Sequence, residues 1–306
     1  MFERVVFAGG GHRCWWQAGW WETVAPVAGL APSRIAAVSA GAATACLLYA
    51  NNSATALAHY RSVLGPSARN AYWGRWRDGR SGVFPHEQIY RNALAILIGD
   101  HFPSLLRNAP EIRIAYARPP NGLTPTFAIG LGLLGYNLEK YLLKPLHPRL
   151  GRRLGFHADY RTVLSCQTAD ELIDLILASS CTPPFTGIQY QDGKPTLDGG
   201  LVDNVPVDVL DQPANFSPAS ARDSPSPAGS VQAVCDQPDT LVLVTRRYPG
   251  YDPVFRVGNR VYVQPTRKVP ASSWDYTSPA DYEATDAQGR EDATGFLRWL
   301  ENFKNS

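Results

Sequence analysis

The first fifty residues repeat one pattern twice: a short apolar stretch, a turn of small residues and a helical segment. Residues 5–8 predict a buried strand that runs into three glycines at 9–11, and residues 15–24 continue as a helix. Residues 34–38 predict a second strand, which a serine separates from the helix-prone run 41–50. Strands that alternate with helices in this way are typical of an α/β protein with a mainly parallel sheet.

The rest of the chain adds elements of both kinds. We predict helices over residues 84–98, 169–179 and 281–303, strands over 112–116, 240–245 and 261–263, and a hairpin over 188–197. Asp192-Gly193 lies in the middle of the hairpin, and this pair accepts the positive φ angles of a type I′ turn.

We expect a single domain with one insertion. Residues 5–209 contain the motifs discussed below and form the predicted core. Residues 211–239 are rich in Pro, Ser and Ala and predict a surface insertion, and residues 240–303 complete the same domain. A chain of 306 residues is long enough to bury a substantial core.

Composition and charge exclude several classes of protein. Hydrophobic residues make up 44% of the chain and charged residues 18%, a globular composition that excludes disorder throughout. With 29 basic and 27 acidic residues the net charge is +2, too balanced for a protein built mainly to bind nucleic acid. The five cysteines form no CxxC pair and have no metal-type spacing with histidine, so we expect neither a disulfide framework nor a metal site.

We expect a cytoplasmic protein, with peripheral membrane contact as an open option. The first seven residues lead directly into glycines and leave no room for a signal peptide. The longest apolar stretch, residues 127–136, is interrupted by three glycines and is much shorter than the roughly 20 residues of a membrane-spanning helix.

A glycine loop follows the first predicted strand. It reads Gly9-Gly10-Gly11-His12-Arg13. Glycines let the backbone turn sharply with its N–H groups directed outward, and the helix that follows adds a positive dipole, so the loop could bind an anion or a developing oxyanion. A turn that only connects strand and helix is the alternative. A nucleotide site is not indicated, because neither GxGxxG nor a Walker-type Gly-Lys-Ser/Thr is present here.

The second predicted strand ends in a candidate nucleophile. Ala37-Val38-Ser39-Ala40-Gly41 fits a GxSxG nucleophile elbow in which alanine replaces the first glycine. Such a turn lifts the serine hydroxyl away from the sheet, and its flanking residues must be small because strand and helix lie close together there. A serine that only caps the helix is the alternative.

A candidate base lies far along the chain, in Asp198-Gly199-Gly200. Serine is a poor nucleophile unless a histidine or a carboxylate takes its proton. No histidine follows Asp198, so the Ser, acid, His order of an α/β-hydrolase fails with this acid. The six histidines all precede it: His12, His59, His86, His101, His147 and His157. An ordinary turn is the alternative for this motif.

Together the three motifs are much more specific than any one of them, and the chain resembles the patatin-like phospholipase family. The resemblance runs from Val5 to about Val209. It includes residues 178–185 and, most tellingly, residues 197–206, where Leu-Asp-Gly-Gly-Leu-Val-Asp-Asn-Val-Pro is very similar to the stretch that carries the family's catalytic aspartate.

The resemblance implies a three-layer α/β/α sandwich and a serine acyl hydrolase of lipid esters, acting on phospholipids or lysophospholipids without metal or organic cofactor. By this analogy Ser39 attacks the ester carbonyl, and Asp198 accepts its proton and later activates water. Backbone N–H groups around Gly10 and Gly11 hold the oxyanion.

Two residues depart from the family pattern. Ala37 and Cys14 stand where the family usually has glycine, whereas Gly41, Gly199 and Gly200 keep the small residues of the two turns. Either departure could weaken the elbow or the oxyanion loop. A weakly active or inactive lipid-binding relative is therefore the main alternative, and an esterase with a histidine triad is another.

Two aromatic groups are candidates for contact with lipid. Four tryptophans, Trp15, Trp16, Trp20 and Trp21, lie on the first predicted helix, and we favour core packing for at least half of them. In residues 72–80 aromatic and basic residues alternate around glycine, which fits either lipid headgroup contact or a solvated loop.

Charge is distributed unevenly behind the small net value. Residues 139–161 are basic and follow the apolar run 127–136, so together they predict a lid or a membrane-docking surface, or else a buried helix with a basic end. Residues 275–301 are acidic. The residue types leave open the ester cleaved, the acyl position and the oligomeric state.

Overall fold

Nine strands form one sheet in the part of the chain that the structure describes. This computed structural model describes residues 1–50, 53–64, 69–73, 83–120, 130, 146–147, 150–212 and 239–305. The strands are β1 (Arg4–Phe7), β2 (Arg34–Val38), β3 (Glu111–Arg118), β4 (His157–Thr162), β5 (Gln189–Gln191), β6 (Lys194–Asp198), β7 (Thr240–Leu243), β8 (Val254–Val257) and β9 (Arg260–Val263).

The middle of the sheet is parallel. The strand order is β5-β6-β3-β2-β1-β7-β9-β8, and β4 also pairs with β3. Five neighbouring strands are parallel to one another, in the order β3-β2-β1-β7-β9. The strands β4, β5, β6 and β8 pair antiparallel with their neighbours at the two sides of this group. In the central register Val5 pairs with Ile35 on one side and Leu241 on the other.

Helices cover mainly one face of the sheet. The described helices are α1 (Trp15–Ala28), α2 (Ala40–Tyr49), α3 (Ser53–Leu64), α4 (His86–Ile98), α5 (Phe102–Asn108), α6 (Leu150–Arg153), α7 (Ala169–Ser179), α8 (Gly200–Asp203) and α9 (Pro279–Lys304). Short 3₁₀ helices span Gly11–Cys14, Val163–Ser165 and Val207–Asp211.

The side chains of β1 enter two different cores, because successive residues of a strand point to opposite faces of the sheet. Val5 and Phe7 belong to the larger core, which they share with side chains from α1, α2, α4, α7 and α9. Val6 and Ala8 belong to a smaller core on the other face, closed by the 3₁₀ helix Val207–Asp211 and the residues before it. The predicted α/β fold with a mainly parallel central sheet and helices is confirmed.

Most predicted elements lie within a few residues of the observed ones. The helix over 169–179 has the predicted bounds, and Asp192 and Gly193 have φ angles of 50° and 69°, as a type I′ turn requires. The helices α3, α5, α6 and α8 and the strands β4 and β8 were not predicted from the sequence. β4 reads His-Ala-Asp-Tyr-Arg-Thr, which has no apolar run, and it forms a strand because it pairs antiparallel with the side of β3.

All four tryptophans of α1 are buried in the larger core. Trp16 also donates a hydrogen bond from Nε1 to Asp292 Oδ2 on α9 at 2.8 Å. Core packing is thus confirmed for this cluster, and α1 packs along α9 rather than against a lipid surface.

Several predictions concern residues outside the described ones. These are most of the apolar run 127–136, most of the insertion 211–239, and part of the basic stretch 139–161. The division into core, insertion and closing elements therefore stays a prediction. Among the described residues, no helix is both long and apolar enough to cross a bilayer.

Candidate active site

Ser39 lies on a strained turn between β2 and α2. Its φ and ψ are 55° and −135°, a conformation that a residue with a side chain rarely adopts. Gly41 explains why the turn is so tight: a Cβ there would lie 2.6 Å from the carbonyl oxygens of Phe7 and Ala8. The start of α2 is thus pressed against the end of β1, and the turn presents the Ser39 side chain beyond the sheet.

Ser179 holds the backbone of this turn. Its Oγ accepts the Ser39 N–H at 2.7 Å and donates to the Ala115 carbonyl oxygen at 2.6 Å. The side chain is fully buried at the end of α7, so one hydroxyl joins α7, β3 and the serine turn. Ser179 belongs to the motif 178–185 but has no role that the sequence could predict, because nothing in a run of small residues identifies which hydroxyl faces the turn.

Asp198 lies at the end of β6, within hydrogen-bond distance of Ser39. Ser39 Oγ donates to Asp198 Oδ2 at 2.7 Å across 159 positions of sequence. The other carboxylate oxygen accepts the Gly200 N–H at 2.7 Å, and the Asp198 N–H donates to the Cys181 carbonyl oxygen at 2.7 Å. Thr182 Oγ1 lies 3.4 Å from Oδ2. The carboxylate is therefore oriented from both sides.

The turn after Asp198 depends on glycine, as the elbow does. A Cβ at Gly199 would lie 2.6 Å from Val38 Cγ2 and 2.7 Å from the Ala115 carbonyl oxygen. β6 can therefore end close to the ends of β2 and β3, which brings the aspartate to the serine. The pairing of Tyr116 with Asp198 in the antiparallel ladder sets the same position.

The glycine loop is anchored through Gly9. The Gly9 N–H donates to the Asn204 backbone oxygen at 3.1 Å, and the Gly9 carbonyl oxygen accepts from Asn204 Nδ2 at 3.0 Å and Thr245 Oγ1 at 2.8 Å. Gly11 has a φ of 58°, so this position favours glycine. Thr245, which follows β7, carried no signal in the sequence, since only the parallel pairing of β1 and β7 brings it to the loop.

His12 and Arg13 support the loop. The His12 N–H donates to the Ser273 carbonyl oxygen at 3.4 Å, and its ring stacks on Tyr282 with centroids 4.3 Å apart. Burial lowers the pKa of His12 to about 3. Arg13 Nε donates back to the Gly10 carbonyl oxygen at 3.1 Å.

These contacts narrow the prediction that residues 9–13 all bind an oxyanion. The N–H groups of Gly9 and His12 already donate to carbonyl oxygens of the chain, so they are not available to a ligand. For Gly10 and Gly11, no acceptor for the backbone N–H occurs among the described residues. Gly10 and Gly11 are thus the glycines of the loop whose N–H groups have no described acceptor, and the oxyanion role of residues 9–13 stays a prediction.

A largely apolar cavity opens beside Ser39. Its volume is about 80 Å³, and it is open to solvent on one side. It extends between α1, α2 and α4, where Ala43, Leu47, Leu94 and Leu97 are among its walls. Its polar wall residues include His12, Ser39, Thr44, His86, Ser180 and Thr186.

Neither departure from the family pattern strains the site. Cys14 has a φ of −67°, an ordinary helical value, so no glycine is required there. Burial raises the pKa of its thiol to about 12, which makes the thiol a poor nucleophile. Ala37 lies fully buried within β2, where it pairs with Phe7 and Ile114.

Comparison with known proteins extends over most of the chain. The sequence model of the patatin-like phospholipases matches residues 5–211. The chain belongs to the patatin-like phospholipase family. This is a family of lipid acyl hydrolases, and the match covers both Ser39 and Asp198.

One solved structure that this patatin-like chain is similar to is that of VipD from Legionella pneumophila. The similarity covers 97% of this chain and 67% of that one, at a TM-score of 0.44 and 10% sequence identity. Among curated proteins, none matches this chain.

Proposed function

We propose that this protein is a serine acyl hydrolase that cleaves carboxylic esters of lipids, phospholipids or lysophospholipids, through Ser39 and Asp198. The observation that carries the proposal is the 2.7 Å hydrogen bond from Ser39 Oγ to Asp198 Oδ2. A carboxylate in this position can take the serine proton, which is what makes the hydroxyl a nucleophile.

The proposed reaction has two steps. Ser39 Oγ adds to the ester carbonyl carbon as its proton passes to Asp198, and collapse of the tetrahedral intermediate breaks the bond to the alcohol, which takes that proton. Water then adds to the acyl-serine and gives a proton to Asp198. The second collapse releases the fatty acid and returns the proton to Ser39 Oγ.

The glycine loop is the proposed oxyanion site. Gly9 lies beside the serine, since a Cβ on Gly9 would be 3.3 Å from Ser39 Cβ, and Gly11 lines the same cavity as Ser39. The N–H groups of Gly10 and Gly11 are the proposed donors. Donors fixed by a backbone that is already anchored need no reorganisation as negative charge develops on the carbonyl oxygen.

The cavity supports a lipid acyl chain as the group transferred. Its aliphatic walls begin next to the nucleophile, so an ester carbonyl held at Ser39 would direct its acyl chain between α2 and α4. Burial of each methylene contributes about 0.8 kcal/mol, so an aliphatic acyl group gains affinity with every methylene that the cavity holds.

Replacement of the two proposed catalytic residues tests the proposal. We expect Ser39→Ala and Asp198→Asn each to reduce release of product from both a short-chain aryl ester and a phospholipid at least about a thousandfold. Asp192→Asn is a matched control, because Asp192 belongs to the same hairpin but is an exposed turn residue. Fluorophosphonate should label the wild type at Ser39 and should not label Ser39→Ala.

Three outcomes would contradict the proposal. Full activity in both variants would exclude the Ser39–Asp198 pair. Absence of labelling and of turnover in the wild type would favour an inactive lipid-binding relative. If Asp198→Asn is tolerated while a His→Ala change abolishes turnover, a histidine is the base.

A further inference from the structure

Four aromatic side chains form a continuous row from the surface to the mouth of the cavity. We call this row the aromatic rim: Trp73, Phe84, Phe185 and Trp274. Neighbouring ring centroids are 5.9, 5.0 and 5.1 Å apart along the row. Trp274 lines the cavity that contains Ser39, so the rim ends where a lipid ester would have to enter.

The outer end of the rim faces solvent. Trp73 is 67% exposed, more than the exposed tyrosines Tyr190 and Tyr251 at 57% and 44%. Phe84, Phe185 and Trp274 are half-buried. The four residues come from three separate parts of the chain. Their row of ring contacts is therefore a product of the fold and not of one apolar stretch.

Hydrogen bonds hold Trp73 in this position. Asn70 Nδ2 donates to Asp275 Oδ1 at 3.0 Å, and Asn70 Oδ1 accepts the Tyr276 N–H at 2.8 Å. Burial raises the pKa of Asp275, but hydrogen bonds from Thr277 and Asn70 outweigh it and lower the pKa to about 2, so the carboxylate is charged at neutral pH. The segment that carries Trp73 is thus tied next to Trp274.

The segment that carries Trp73 also carries an exposed arginine. Arg69 is exposed at the start of the segment that carries Trp73. Residues 74–82 lie outside the described part of the chain, so Arg69 is the basic residue of this segment that the structure describes. An exposed tryptophan and an exposed arginine in one segment are suited to the headgroup region of a bilayer with anionic lipids, where the ring enters the interface and the cation meets phosphate.

We infer that the aromatic rim docks the protein on an anionic phospholipid surface and passes a lipid from that surface to Ser39. This inference rests on the proposed function for the fate of the lipid, but the docking step itself does not. It assigns the membrane contact to a surface beside the cavity, and not to the tryptophans of α1 or the basic stretch 139–161.

The test separates docking from catalysis. In a Ser39→Ala background, which leaves the bilayer intact, co-sedimentation with vesicles of phosphatidylglycerol and phosphatidylcholine measures docking. We expect Trp73→Ala to weaken vesicle binding about tenfold, equivalent to about 1.4 kcal/mol. Trp73→Ala with Ser39 intact should hydrolyse a soluble aryl ester within about twofold of the wild-type rate, because Trp73 does not line the cavity.

Tyr251→Ala is the matched control. Tyr251 is 44% exposed and stacks on Phe255, a half-buried residue of β8, so it is likewise an exposed aromatic in contact with a half-buried one, but neither ring lines the cavity. Its removal should leave vesicle binding unchanged. The inference is wrong if Trp73→Ala binds vesicles as tightly as the parent protein does. It is also wrong if Tyr251→Ala weakens vesicle binding as much as Trp73→Ala does.

Two further outcomes would overturn it. Equal binding to pure phosphatidylcholine vesicles would exclude an anionic surface. If the protein ignores vesicles and forms a dimer that Trp73→Ala dissociates, the rim is a protein interface. Failure of the aryl ester assay with intact vesicle binding would reject the proposed function and leave the docking surface standing.

Discussion

The serine turn and the aromatic rim lie at the same cavity, but they are held in opposite ways. The backbone of Ser39 is strained and fixed by the buried hydroxyl of Ser179, with Asp198 on its side chain. The rim is held by ring contacts and by a half-exposed amide, Asn70, that binds Asp275. At the serine turn there is no room for a Cβ on Gly41 or Gly199, whereas the outer end of the aromatic rim is open to solvent.

The difference separates two kinds of requirement. Proton transfer and oxyanion stabilisation need atoms held to within a fraction of an ångström, which only buried hydrogen bonds and close backbone contacts can provide. Capture of a lipid needs exposed apolar area and charge, which depend little on exact geometry. Changes at the turn should therefore affect every substrate, and changes at the rim only substrates presented in a bilayer.

Among changes that leave Ser39 and Asp198 in place, the largest effect is expected at Gly41. Gly41→Ala should lower the free energy of unfolding by about 2 to 4 kcal/mol, because the new methyl meets the carbonyl oxygens of Phe7 and Ala8. Gly295→Ala is the control, since Gly295 is also helical but has open space around it, and it should be neutral or slightly stabilising. Denaturant unfolding measures both. Equal stability of the two variants would contradict a tight turn.

A smaller effect is expected at Ser179. Ser179→Ala leaves the Ser39 N–H and the Ala115 carbonyl without this partner, so kcat should fall about tenfold with KM nearly unchanged. Fluorophosphonate labelling of Ser39 should slow by the same factor. Ser165→Ala removes an exposed hydroxyl that also binds a backbone carbonyl, and it should change neither rate. A lowered melting temperature with an unchanged kcat would mean that Ser179 is only structural.

The smallest effect is expected at Asn70. Asn70→Ala removes both hydrogen bonds that tie the rim to residues 275 and 276, so hydrolysis of vesicle-borne phospholipid should fall about threefold while a soluble aryl ester is cleaved as before. Asn108→Ala, which removes an exposed asparagine hydrogen bond at the end of α5, should affect neither substrate. An equal loss of activity on both substrates would mean that the Asn70 hydrogen bonds support the catalytic turn and not the docking surface.

Local patterns predicted the parallel core well. The strands β1, β2 and β3 and the helices α1, α2 and α7 follow apolar runs and helical spacings that are visible in the sequence. The side strands were harder to predict. β4 is mostly polar and β8 is only four residues long, so neither has a clear local pattern, and both owe their conformation to pairing with a neighbouring strand.

The site could be predicted where it consists of turns with restricted chemistry. Small residues around Ser39 and the glycines after Asp198 can be recognised because the backbone requires them. Ser179 and Thr245 could not be predicted, since a buried hydroxyl that binds a backbone group has no signature of its own. His12 was grouped with the oxyanion loop, but contacts with Tyr276 and Tyr282 make it part of the packing around the cavity.

The hydrophobic pattern and the three motifs by themselves determined the α/β class, the family and the candidate pair Ser39 and Asp198. All three follow from short stretches of adjacent residues, and such local patterns are visible in the sequence itself. Only the tertiary structure decided which tryptophans are buried, which backbone N–H groups remain for a ligand, and where aromatic side chains meet solvent beside the cavity. Burial and hydrogen-bond partners depend on segments far apart in sequence, and packing alone brings those segments together.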